Sequence, residues 1–112
     1  MTNKNFYLLF VSIFFALIGH RCYANDLPQK YWCIVYEFGA KEGDMLKFMN
    51  FACSSIVDCG AIKLGGGCYQ ADNLAWMASF VLNSYYRLTG TCWNELGILW
   101  PDDPSYGNCH YL

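Results

Sequence analysis

A chain of 112 residues with 14% charged side chains and a formal net charge of −2 has room for one domain and lacks the basic surface that holds nucleic acid. Apolar residues at 55% and aromatic residues at 19% exclude a disordered chain, and seven cysteines in so short a sequence point to a covalently stapled fold.

The first 24 residues read as a secretory signal peptide. Lys4 supplies the positive start, Phe6 to Gly19 is an apolar run, and Cys22-Tyr23-Ala24 places a small residue before a cleavage site at Asn25. The run is shorter than the about 20 apolar residues that a spanning helix needs. The domain is therefore expected over 25–112, where nine carboxylates stand against five cationic side chains. The sequence closes on Cys109-His110-Tyr111-Leu112, without a polar spacer and apolar tail. A secreted, monomeric protein with no membrane anchor is expected.

Six cysteines remain in that span: Cys33, Cys53, Cys59, Cys68, Cys92 and Cys109. An even number in a small secreted domain reads as three disulfides, whose pairing spacing alone leaves open. Metal binding has no support, because no Cys-x-x-Cys pair occurs and His110 is the single histidine of the span. No cofactor is expected.

In chain order, Trp32-Cys33-Ile34-Val35-Tyr36 is aromatic and β-branched and reads as a strand ended by Gly39. A helix of about ten residues follows, with Asp44 as its candidate N-cap and Met45, Phe48, Met49 and Ala52 as its apolar stripe. A bridge between Cys53 and Cys59 would clamp the loop behind it. Gly65-Gly66-Gly67 is followed by Cys68 and not by Gly-Lys-Ser/Thr, so it is no phosphate loop; it reads as a place of positive φ and close backbone approach.

A second helix begins near Asp72 or Asn73 and stops at Gly90. Leu74, Met77, Ala78, Val81, Tyr85 and Leu88 recur at helical steps and read as its buried face, while Trp76, Phe80, Asn83 and Arg87 fall on a neighbouring face. Beyond it, Ile98-Leu99-Trp100 is a short strand, Pro101 to Gly107 is turn chemistry, and Asn108 to Tyr111 reads as a closing strand.

Several short motifs occur together in one order: Trp32-Cys33, Phe51-Ala52-Cys53, Asp58-Cys59-Gly60-Ala61-Ile62, Gly65-Gly66-Gly67-Cys68-Tyr69, Asn83-Ser84-Tyr85-Tyr86 and Asp103-Pro104-Ser105-Tyr106-Gly107. In this the chain resembles the X8 domain, also called carbohydrate-binding module family 43, over residues 31–112. The resemblance implies an α+β fold, a small disulfide-rich domain with two helices packed with a small antiparallel sheet. It implies the pairings Cys33–Cys92, Cys53–Cys59 and Cys68–Cys109. It also implies a plant extracellular module that binds β-1,3-glucan, the polymer of callose, at the cell wall or plasmodesmata, with a wall glucanase as a further candidate partner. The chain departs from the family's usual residues at Ala71, Met77, Phe80 and Trp93-Asn94; at the last pair Trp93 is expected to replace a family aromatic.

A glucan offers apolar C–H faces rimmed by hydroxyls, so its binder needs exposed flat rings beside short polar groups. Tyr69, Trp76, Tyr85 and Tyr86 supply rings; Asp72, Asn73 and Asn83 supply polar groups and Arg87 a donor to hydroxyls, with Tyr69, Asn83, Tyr86 and Arg87 expected to line the face. Catalysis is the rival class, but Asp102 and Asp103 are adjacent in a turn and not paired across a cleft, so no catalytic residue is assigned. A secreted protein-interaction or defence module on the same fold is the alternative.

Overall fold

The computed structural model describes residues 29–93 and 95–112. The signal-peptide reading of 1–24 and the departure at Asn94 lie outside the described residues. The elements run β1 (Trp32–Val35), α1 (Glu42–Ser55), a 3₁₀ turn (Gly60–Ile62), α2 (Leu74–Thr89) and β2 (Gly97–Trp100). The two strands pair antiparallel, with Trp32 opposite Trp100 and Val35 opposite Gly97. This is the small disulfide-rich α+β domain expected from the resemblance. The disulfides are Cys33–Cys92, Cys53–Cys59 and Cys68–Cys109.

α2 sits at the centre, between α1 on one side and β1 on the other. Asn73 caps its start by accepting from the Trp76 N–H at 3.2 Å, and Gly90 ends it in the left-handed conformation at φ 78°. From Ala78 to Ser84 every residue is buried. A single-faced periodicity therefore undercounts its core. The stripe Ala78, Val81 faces α1, where Met45, Phe48 and Ala52 meet it together with Cys33, Val35 and Leu82. Phe80 faces a second, smaller core with Trp32, Tyr111 and the Cys68–Cys109 bridge. Leu88, expected on the buried face, is 64% exposed.

β1 has one strand partner, and its other edge would leave backbone donors buried and unpaired. Two polar side chains of α2 satisfy them. The Cys33 N–H donates to Asn83 Oδ1 at 3.1 Å and the Val35 N–H donates to Ser79 Oγ at 2.9 Å. The spacings match: two strand residues advance about 6.6–6.8 Å and four helical residues about 6 Å.

Two local expectations change and one holds. α1 is 14 residues long and begins at Glu42 with Lys41 at the N-cap position, so Asp44 lies inside its first turn, where its charge meets the helix dipole. The expected closing strand over 108–111 is a single bridge between Tyr106 and Cys109. The glycine triplet does what its sequence suggests. Gly65 has φ +89°, and a Cβ on Gly67 would stand 2.5 Å from the Asn108 carbonyl oxygen.

Candidate functional site

The neighbouring face of α2, read as Trp76, Phe80, Asn83 and Arg87, is a rail for the end of the chain. Trp76 meets Tyr106 edge-on at 4.9 Å between ring centroids, and Phe80 meets Tyr111 at 5.5 Å. One turn on, the Asn83 amide donates to the Leu112 carbonyl at 3.1 Å. Arg87 donates from Nε to the same carbonyl at 2.9 Å and from a terminal nitrogen to the Tyr31 carbonyl at 2.7 Å. Four residues on one stripe thus hold positions 106, 111 and 112 in order.

The turn Asp103-Pro104-Ser105-Tyr106-Gly107 shapes the approach to that rail. The Asp103 carboxylate accepts from the Ser105 N–H at 2.9 Å, and the Ser105 hydroxyl accepts from the Tyr111 N–H at 2.9 Å. Hydrogen bonding by the Ser105 hydroxyl, and then by its backbone, holds the exposed Asp103 carboxyl below its ordinary range. Gly107 adopts φ +51°, so Tyr106 and Cys109 can close on each other. Tyr106 is then oriented twice, by the Trp76 ring and by the Gln70 amide, which donates to its hydroxyl at 2.8 Å.

Between this turn, the start of α2 and the β-ribbon lies an open groove of about 240 Å³, lined by Ile34, Val35, Glu37, Ala75, Trp76, Ser79, Trp100, Pro104 and Tyr111. Trp76 and Trp100 are 40% and 42% exposed and stand at its sides. Tyr111 is buried, and burial, with Tyr106 adding to it, pushes its phenol well above the ordinary 10.0, so it stays protonated. The Ser79 hydroxyl is spent on Val35 and Ala75. The groove is an apolar floor between two indoles with Glu37 as its charged group. Such a surface accepts a flat apolar face and leaves a polar rim in water.

The candidate residues named from sequence separate accordingly. Trp76 lines the groove, and Asn73 holds the helix start beneath it. Tyr69 is 38% exposed on the loop before α2, next to Gln70. Asn83 is fully buried and both ends of its amide are engaged, so it is not on any surface; the strand edge needs it. Arg87 is committed to two backbone carbonyls, with its guanidinium 5.3 Å from the Tyr86 ring centre and 5.8 Å from that of Trp32. Tyr85 belongs to a different place: it meets Phe48, Phe51 and Trp93 at 5.5, 6.2 and 5.9 Å in the α1–α2 interface. Trp93, beside the fifth cysteine, thus packs in this aromatic cluster. Nine residues separate Trp76 from Tyr85, which places them on opposite sides of the helix.

Sequence reading passed over Trp100, Pro104, Tyr111 and Glu37 as groove residues. The available signal was strand alternation, which puts Ile98 and Trp100 on one face with Ile34 and Trp32 opposite. Among the described residues, no three or more His, Cys, Asp or Glu side chains gather as a metal site, and no helix is long and apolar enough to cross a membrane.

A profile of the X8 domain matches residues 31–93. The chain belongs to the X8 domain family. Among relatives, it is 38% identical over 86 residues to a glucan endo-1,3-beta-glucosidase of Triticum aestivum, covering 72% of this chain and 18% of that protein. A glucan endo-1,3-beta-D-glucosidase of Olea europaea is 32% identical over 85 residues, with 71% and 18% covered. The X8 chain thus spans under a fifth of these enzymes. The major pollen allergen Ole e 10 of Olea europaea is 30% identical over 89 residues, with 74% of this chain and 72% of the allergen covered. No solved structure matches the X8 chain.

Proposed function

We propose that this X8 domain is a secreted, non-catalytic carbohydrate-binding module that recognises β-1,3-glucan of the plant cell wall, and that the groove between Trp76 and Trp100 is where it does so. The observation that carries the reading is the groove itself: two half-exposed indoles flanking an apolar floor, on a domain whose ends are tied down around it. The matches to glucan endo-1,3-beta-glucosidases over this span alone support the choice of polymer. A binding role without catalysis is supported by the groove's lining, in which Glu37 is the one carboxylate, whereas glycoside hydrolysis uses a pair. The apolar run at 6–19 and the match to a pollen allergen support secretion to the cell wall.

The test is titration calorimetry on the protein expressed from the full chain through a secretory route, with its three disulfides verified. Soluble laminarin is the ligand and a β-1,4-glucan the control. Saturable heat with laminarin and none with the control is expected. No heat with either, from a fully oxidised sample, would turn the reading toward a protein-interaction module.

A further inference from the structure

We infer that the turn after β1 is an aromatic arm that extends the groove and sets the length of glucan the domain prefers; this rests on the glucan-binding reading above. Phe38 is 91% exposed, the most exposed of the large apolar side chains described. It is held out by an ordered turn, in which the N–H groups of Gly39 and Ala40 both donate to the Tyr36 carbonyl, at 3.2 and 3.1 Å. Its ring meets that of Tyr36 edge-on at 5.9 Å, and Tyr36 is itself 46% exposed. Neither ring belongs to either core cluster.

Position links this pair to the groove. Ile34 and Val35, the last two residues of β1, line the groove, and Tyr36 directly follows them. Glu37, the residue between the two rings, lines it as well. Trp100 stands opposite Trp32, and Tyr36 comes four residues after Trp32, about 13 Å along the extended chain, with Phe38 beyond it. A short oligosaccharide fills the floor between the indoles. A longer one continues onto Tyr36 and Phe38, and Glu37 faces its hydroxyls at the step between.

The experiment compares laminaritriose with laminarihexaose by calorimetry for the wild type, Phe38→Ala and Phe38→Tyr. Wild type should bind the hexaose more tightly. Phe38→Ala should lose about fivefold for the hexaose, the scale of one aromatic contact, and leave the triose and the melting temperature unchanged. Phe38→Tyr should restore the hexaose affinity. Equal loss for both sugars, or none for the hexaose, would overturn the arm while leaving the groove in place. Wild type that binds neither sugar would overturn the glucan reading and the arm together.

Discussion

The two ends of one stripe on α2 carry different kinds of residue and do different work. At its start, Trp76 meets Tyr106 of the chain's last turn edge-on, lines the groove and stays 40% exposed. At its end, Asn83 and Arg87 are consumed by backbone groups of the first and last described segments. The difference follows from what each must satisfy. An indole needs little from its neighbours and can lean on an apolar wall while half wet. A buried amide is tolerated only when its donors and acceptor find partners, and β1's unpaired edge supplies one of them. An Asn-Ser-Tyr-Tyr run that looks like a sugar-contacting motif is thus, at Asn83, a repair of the sheet.

The comparison is broken most severely at Asn83. Asn83→Ala leaves the Cys33 N–H buried without an acceptor and opens a void in the interior, so the oxidised protein should lose about 2–3 kcal/mol in urea denaturation. Laminarin affinity of the fraction that stays folded should be unchanged, since the amide never reaches the surface.

A smaller effect sharpens the groove end. Burial raises the Tyr111 phenol in the folded state above its unfolded value of 10.0, so the folded protein holds that proton longer. The contribution is complete below about pH 10 and is lost as pH rises above it, because only the unfolded chain then gains by ionising. Stability measured against pH should fall above that point, and Tyr111→Phe should flatten the fall.

The sequence made the skeleton legible and the division of labour on α2 much less so. Asn73 and Gly90 announce the helix ends chemically, and the order of the cysteines carries the disulfides through the family resemblance. Periodicity misplaces Asn83 because it assumes one buried side, whereas α2 has a core on each side over Ala78–Ser84. The groove was only half visible because its walls come from positions far apart: Trp76 on the helix, Trp100 on β2 and Pro104 in the turn. The closing strand failed for a local reason: Gly107 at φ +51° bends the chain between Tyr106 and Cys109, so the segment makes one bridge. Asp44 reads as a cap from its type alone, but the helix had already begun at Glu42.

The most direct test sets Trp76→Ala beside Tyr86→Ala in laminarin calorimetry, with thermal unfolding as the control for folding. Our account predicts that Trp76→Ala lowers affinity about tenfold, the scale of one large ring's contact, while Tyr86→Ala leaves it within about twofold of wild type. Loss of affinity in Tyr86→Ala with Trp76→Ala unaffected would contradict it and return the binding face to the far end of α2.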